Sequence, residues 1–469
     1  MNPGLPAQPT GYGDRSALPA RAWLLRHAIL PAGDLLFGQR MMRRLRFLEE
    51  AQWWEPERLH AHRDQLLRSL VHTAYKEVPF YRDLMDSAGV RPADIRSAGD
   101  LPRLPVVTKA MLRAGFPHRT TRRTGQRAHD VYTSGSTGTP FAMREDAETA
   151  GWYRASFLLA LEWVGWQFGE PHLQTGINPG RDIARRLKDW LLRTYYVPAF
   201  DLSDARLDAS LDLLERHGIQ HLWGYPAGLY VLAQRAREQS WNRPLRSVVT
   251  WGDNLFPHYR RAIEQVFQAR VYDTYGCSEG MQVAAQCGHG STYHIHMLDV
   301  VVEYLDDGGQ PVPAGQPGNL VVTRLHPGPM PLIRYAVGDV GIAGAGQRCD
   351  CGRGYDVMES IQGRNTDVVL TPSGNRLIVH YFTSIMEYFL EVAAFQVVQP
   401  AREMMILRIV PAQGFSPAVA DRIITTLKEK GAADMAIEIE LVDAIPLTPG
   451  GKRRFIVSEI GEPQGERDR

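Results

Sequence analysis

Four cysteines in 469 residues are too few for a disulfide framework. No apolar run approaches the roughly 18 residues of a membrane-spanning helix. The N-terminus has no continuous apolar core followed by a small-residue cleavage site, so the expected compartment is the cytoplasm. Neither sign of charge is in excess. With 53 Lys and Arg against 52 Asp and Glu, no global field favours nucleic acid as a partner, and any polyanion must be bound locally. No internal repeat and no low-complexity tract beyond the termini is found, which excludes a solenoid or array.

What is present is a chain long enough to bury large cores and form two or more domains, with 44% hydrophobic and 22% charged residues. Residues 1–20 are rich in Pro, Gly and Ala without periodicity and read as a loose tail. From Arg21 to Gly89 the pattern is helical, with Leu66, Leu67, Leu70 and Val71 at three- and four-residue spacing. The basic, apolar first segment reads as an amphipathic helix packed on its own domain, with a membrane surface as the alternative. Beyond Phe141, helical stretches such as ASLDLLERHGI alternate with the β-rich runs HLWGY, SVVTWG, ARVYDTYG, VVVEYL and NLVVTRL, which predicts an α/β domain. After Gly363 the pattern predicts a hairpin around Ser373-Gly374-Asn375, then a helix, the strands AAFQVVQ and MMILRIV, a helix near Ala418–Lys430 and the strand IEIELV. That is a small α+β domain. The expected organisation is 1–20 tail, 21–364 large domain, 365–469 small mobile domain.

One stretch stands out. Val131–Phe141, VYTSGSTGTPF, packs six Ser, Thr or Tyr hydroxyls and two glycines into eleven residues. The backbone N–H groups of such a turn, with its hydroxyls, make a concave donor surface for phosphate oxygens. A bland Ser/Gly-rich surface turn is the competing reading. Gly138 is followed by Thr139-Pro140 rather than Lys-Ser or Lys-Thr, so the loop is not of the Walker type.

TSGSTGTP resembles the phosphate loop of the adenylate-forming superfamily, and four further stretches match that superfamily in the same order: YGCSE (Tyr275–Glu279), RYAVGD (Arg334–Asp339), GRNTD (Gly363–Asp367) and PLTPGGKRR (Pro446–Arg454). Within it the likeness is to phenylacetate-CoA ligases and capsule-biosynthesis adenylation proteins, carried by the run from His72 to Pro117, by WGYPAGLYVLA (Trp223–Ala233) and by AAFQVVQ, and spanning roughly residues 40–458. The resemblance implies activation of a carboxylic acid by ATP to an acyl-adenylate, then acyl transfer to CoA. The acceptor remains open between CoA and an amine, hydroxyl or carrier protein, and a nucleotide-binding relative without catalysis is a third option. It implies a phosphate loop at Thr133, Ser134, Gly135, Ser136, Thr137, Gly138 and Thr139, nucleotide contacts at Gly252, Asp253, Tyr275 and Gly276, and a ribose contact at Asp339. Arg364 is implied for ribose or phosphate, Glu279 for Mg²⁺, and Lys452 for charge developing at the bridging oxygen. Tyr132, Gly224, Tyr225 and Pro226 are the implied acid pocket. Of the aromatic residues nearby (Trp163, Trp166, Tyr195, Tyr196 and Trp223), most are expected to be core. Three departures are visible: Phe141 after the loop, Trp251-Gly252-Asp253-Asn254 where GAE-like residues are usual, and Thr366 at the acidic hinge position.

Cys287, His294, Cys349 and Cys351 could close a tetrahedral Zn²⁺ site, with His289 and His296 as rival fourth ligands and reduced free thiols as the alternative. Relatives resemble the chain at both clusters. Cys277 reads as a small residue near the nucleotide, because no partner marks it as a nucleophile. Homodimerisation stays open.

Overall fold

The computed structural model describes residues 20–133, 141–176, 181–199, 204–252, 254–277, 279–346, 348–364, 368–373, 376–378, 382, 385–386, 388–389, 391–446 and 455–460. The periodic N-terminal region is helical as its spacing predicts: Met41–Ala51, Pro56–Glu77 and Pro79–Ser87 are helices. Pro56 and Pro79 each stand in a first turn, where the missing N–H costs no bond. The 22-residue helix buries Leu59, Leu67, Leu70, Val71 and Ala74 on one face.

Among the described residues the largest sheet has eleven strands. Their spatial order is Val300–Leu305, Pro317–Arg324, Tyr335–Ala343, Val357–Arg364, Tyr293–Ile295, Met281–Gln286, Val271–Cys277, Ser247–Thr250, His221–Gly224, His172–Gly176 and Thr194–Pro198. The last five pair in parallel, and helices such as Asp204–Arg216, Pro226–Glu238 and Pro257–Phe267 provide crossovers. His221–Gly224 and Ser247–Thr250 are buried throughout, as strands covered on both faces are, although their sequences HLWG and SVVT are mixed rather than continuously aliphatic. The predicted α/β architecture is present. The strands at His172–Gly176 and Thr194–Pro198, too short and mixed in composition to stand out, are additions to the sequence reading.

The hydroxyl-rich loop is the end of a hairpin that the sequence reading did not include. Ala128–Thr133 pairs antiparallel with Phe141–Asp146, with Thr133 opposite Phe141. Residues 134–140 themselves lie outside the described residues.

The chain packs as two units, one running to Val337 with Gly341–Ser360, the other comprising Gly338–Val340 and the chain from Ile361 onward. The second unit contains a four-stranded sheet in the order Ala436–Leu441, Met404–Pro411, Val392–Ala401, Ile456–Ser458. Its core comes from alternating residues: Met405, Leu407 and Ile409 are buried, while their neighbours are not. The expected hairpin forms with Val368 opposite Ile378 and Leu370 opposite Arg376. The second expected helix runs Pro417–Leu427. Positions 365–367, expected to act as a hinge, lie outside the described residues.

Candidate active site and thiol cluster

Ligands in open α/β sheets bind beyond the carboxyl ends of the parallel strands, and here those ends carry the predicted residues. Gly224 ends one strand, and Tyr225 then stands before a helix whose first residue is the buried Pro226. A Cβ on Gly224 would stand 2.1 Å from the Thr175 hydroxyl, so the neighbouring strand dictates glycine there. The next strand ends at Thr250 and leads into Trp251-Gly252. Gly252 has φ +72°, and a Cβ on it would lie 2.8 Å from the Tyr225 ring. The segments that the resemblance implies for the acid and for the nucleotide are thus in contact. Trp251 meets Phe157 edge-on at 5.6 Å. Trp163, Trp166 and Trp223 are buried core; Trp223 stacks on His172 at 3.9 Å.

The strand Val271–Cys277 brings Tyr275, Gly276 and Cys277 to the same end and has a register shift between Tyr275 and Gly276. A tight turn follows, closed by Gly280 N–H donating to Cys277 O at 3.1 Å with Gly280 at φ +71°. Glu279 sits in that turn and is buried. The buried Tyr335 hydroxyl donates to its Oε1 at 2.7 Å, and Lys109 Nζ is 3.1 Å from the same oxygen. Arg324 donates to the Glu279 carbonyl at 3.3 Å.

Neither Lys109 nor Tyr335 was a sequence candidate. Their approach follows from a short parallel bridge: Val107 N–H donates to Arg334 O at 2.8 Å, and Ala336 N–H to Val107 O at 2.9 Å. Thr108 then caps the helix that Lys109 begins, accepting from Met111 N–H at 3.3 Å. Arg334, at a left-handed φ of 49°, is held in place by Glu303 at 2.9 Å and donates to the Leu104 carbonyl, a structural role. The signal available in sequence was only that RYAVGD and LPVVTK are both matched segments.

Among the described residues the contacts of Glu279 fall on Oε1, which leaves a second carboxylate oxygen as a hard ligand of the type Mg²⁺ takes. Asp339 lies half-buried in the strand Tyr335–Ala343, after Gly338 at φ +84°. Arg364 ends the strand Val357–Arg364. The side chains of Tyr132, Thr133 and Arg364 and all of Asp253 and Lys452 lie outside the described residues.

The thiol cluster is assembled by the far half of the sheet. Tyr293–Ile295 pairs with Met281–Gln286 on one side, setting His294 opposite Ala285, and with Val357–Arg364 on the other, setting Val357 opposite His294. Cys287 follows the first partner strand, and Cys349 and Cys351 precede the second on a turn closed by Gly352 N–H to Cys349 O at 3.2 Å. The ligand atoms of Cys287, His294, Cys349 and Cys351 all lie within 4.8 Å of one another. Cys287 Sγ is 3.6 Å from Cys349 Sγ, and Cys351 Sγ is 3.3 Å from His294 Nε2. A tetrahedron with Zn–S bonds of about 2.3 Å has S···S edges of about 3.8 Å, so the donor set fits zinc. Hydrogen bonds from Cys287 and then Cys349, with His294 beside them, push the Cys351 thiol down toward thiolate. Of the rival ligands, His289 contributes its backbone N–H to Cys287 Sγ at 3.4 Å, and His296 stacks on Trp163.

Comparison with known proteins is consistent with these features. Residues 192–328 match the AMP-binding enzyme family, and residues 369–459 match the CapK C-terminal domain. The chain is 24% identical over 445 residues to a phenylacetate-coenzyme A ligase of Thermus thermophilus, covering 86% of this chain and 96% of that protein. It is 24% identical over 380 residues to the phenylacetate-coenzyme A ligase of Escherichia coli, covering 75% of this chain and 80% of that one. In fold it resembles a 2-hydroxyisobutyryl-CoA ligase solved in the post-adenylation state, with TM-score 0.71, 20% identity and coverage of 88% of this chain and 92% of the other. Amide bond synthetase McbA from Marinactinospora thermotolerans aligns with TM-score 0.51 and 20% identity over 69% of this chain and 67% of its own. No helix among the described residues is long and apolar enough to cross a membrane.

Proposed function

We propose that this chain, which belongs to the adenylate-forming superfamily as a phenylacetate-CoA ligase-like protein, activates a carboxylic acid with an aryl or other bulky acyl group and passes it to CoA. The observation that carries the reading is the buried Glu279, held by Tyr335 and Lys109 beside the strand ends that bear Gly224-Tyr225 and Gly252. Phe157, Trp251 and Tyr225 supply aromatic surface near Gly252 and favour a bulky acid.

In the first step an oxygen of the acid attacks the α-phosphorus of ATP, the bond to the bridging oxygen breaks, and pyrophosphate leaves with the electron pair. In the second, the CoA sulfur attacks the acyl carbon, AMP leaves, and the thiol proton is released. Mg²⁺ on Glu279 would offset the repulsion between carboxylate and phosphate. Thr133–Thr139 would cradle the β- and γ-phosphates, and Gly252 and Asp253 would flank the base. Tyr275 would stack beside it with Gly276 allowing close approach, while Asp339 and Arg364 would hold the ribose. Tyr132, Gly224, Tyr225 and Pro226 would line the acid pocket, and Lys452 would meet charge developing at the bridging oxygen. Residues 365–367 would be the hinge that presents Lys452 for the first step. Zn²⁺ on Cys287, His294, Cys349 and Cys351 would tie two sheet strands to the Cys349–Gly352 turn, a structural task in a site with no open position.

A second reading keeps the adenylate and changes the acceptor to an amine, hydroxyl or carrier protein. It is motivated by the match of residues 369–459 to a CapK C-terminal domain rather than to a domain named for CoA ligation. Pyrophosphate exchange across a panel of acids tests the first half-reaction. Mass spectrometry of products formed with CoA, amines and a carrier protein then separates the acceptors. Absence of acid-dependent exchange across aryl and alkyl acids would sink the proposal.

A further inference from the structure

The helix Ile183–Leu192 has no buried residue. Arg181, just before it, pairs with Asp189 at 2.5 Å and lies 4.0 Å over the Tyr196 ring, and Asp182 caps the helix by accepting from Arg185 N–H at 2.7 Å, while Arg185, Arg186 and Lys188 are exposed. Its apolar stripe faces solvent, with Ile183 86%, Leu187 61% and Trp190 69% exposed at helical spacing. An amphipathic helix in a water-soluble fold normally buries that stripe.

A second helical run continues the surface. Arg21 donates to the carbonyls of Trp190 and Leu191 at 3.1 and 3.0 Å, with its guanidinium 5.8 Å from the Trp190 ring, so the run Ala20–Phe37 starts where the first helix ends. It too turns apolar residues outward. Ala22 and Leu25 are buried and Arg26 pairs inward with Glu49 and Glu162, while Trp23, Leu24, Leu35 and Leu36 are exposed. Asp34, its acidic residue, is tied to the Met42 N–H.

Charge decides what such a face meets. The whole chain is +1, yet residues 181–193 hold Arg181, Arg185, Arg186, Lys188 and Arg193 against Asp182 and Asp189, a net +3, and Arg21 makes +4. A second copy docked face to face would set +4 against +4 across an apolar contact. An anionic bilayer instead offers acyl chains to the stripe and phosphates to the arginines, and tryptophans are favoured at that boundary. We propose that this face docks the protein on an anionic phospholipid surface. The helix Ile183–Leu192 lies in the interface plane, with Ile183, Leu187 and Trp190 among the acyl chains and the arginines at phosphate level. The proposal is independent of the adenylation chemistry, and the substituted residues below take no part in that site.

The test is sedimentation of the full chain with vesicles of mixed phosphatidylglycerol and phosphatidylcholine, beside vesicles of phosphatidylcholine alone. Binding is expected to the anionic vesicles and to weaken with salt. The Ile183→Ser/Trp190→Ser double variant should lower partitioning at least tenfold, and Arg185→Gln/Arg186→Gln about tenfold, at roughly 1 kcal/mol or less per basic residue. Melting temperature and pyrophosphate exchange without vesicles should match wild type, which separates lost docking from lost folding. No binding to anionic vesicles, or equal binding by wild type and the apolar variant, overturns the proposal. So does a dimer in sedimentation equilibrium that the same substitutions dissociate, which would make the face a self-interface.

Discussion

Replacing Lys109 by Met removes the ammonium 3.1 Å from the buried Glu279 carboxylate and keeps most of the stem's volume. At that distance, unit charges interact by about 5 kcal/mol at an effective dielectric of 20 and about 1 kcal/mol in water. Breaking a fully buried pair costs about 3–5 kcal/mol, whereas exposed pairs contribute about 0–1 kcal/mol. Lys109 is 32% exposed and the Tyr335 hydroxyl still donates to Glu279 after the change, so the expected loss is about 1–3 kcal/mol. In Mg²⁺-free buffer the variant should therefore melt several degrees below wild type. Adding Mg²⁺ should raise the variant's melting temperature more than the wild type's, because the cation meets a carboxylate no longer neutralised and binds only the folded state. Differential scanning calorimetry of both proteins across a Mg²⁺ titration reads both effects. Equal melting temperatures without Mg²⁺ would show that the ion pair contributes nothing. An equal response to Mg²⁺ would remove Glu279 as its ligand.

Lys452→Ala should slow pyrophosphate release about a hundredfold, about 3 kcal/mol of lost transition-state stabilisation, while product formation from presynthesised acyl-adenylate persists; a mutant that adenylates at the wild-type rate removes the lysine from the mechanism. Protein purified without added zinc should carry close to one zinc per chain by metal analysis, and Cys351→Ser should lose it with a lower melting temperature; negligible zinc together with unchanged stability after chelation refutes the site. Asp299 is buried beside Ser156, and burial raises its carboxyl to about 7 against the pull of Arg324 and Arg44. The folded state therefore holds a proton that the unfolded chain releases near pH 4. This contribution to stability is full below about pH 4 and is lost as pH rises through about 7. Asp299→Asn should flatten stability against pH across that window, and an unchanged slope in urea unfolding would exclude Asp299 as its source.

How much of this was legible in sequence depends on how far apart the cooperating residues lie. The hydroxyl-rich loop, the YGCSE turn and the C-terminal hairpin are local: hydroxyls and glycines for a donor surface, a Gly at φ +71° behind Glu279, and Ser-Gly-Asn between two β-rich runs. The thiol cluster was legible too, because soft ligands are scarce enough in this chain for their grouping to be a signal. Lys109 and Tyr335 were not. Both lie far along the chain from the other members of their cluster, and what unites them is the bridge of Val107 to Tyr335, which no local periodicity encodes. The same limit hid the contact of Tyr225 with Gly252. There the packing reason for glycine at 252 appears only when the ends of two adjacent parallel strands are set side by side.

Periodicity has a second limit, which the helix Ile183–Leu192 exposes. A spacing of Ile183, Leu187 and Trp190 identifies a stripe, and the default inference sends it to the core. The strand pairs His172–Gly176 and Thr194–Pro198 bracket this helix and fix where its ends lie. Rotation about its axis is then set by the inward ion pair of Arg181 with Asp189 and by the Arg181 contact with Tyr196. Those three polar and aromatic groups hold the Asp189 side against the domain and leave Ile183, Leu187 and Trp190 in water. A sequence reader sees two faces of comparable strength. The choice between them is made by partners outside the helix, and that is why an outward apolar stripe is a property of the folded domain rather than of the segment.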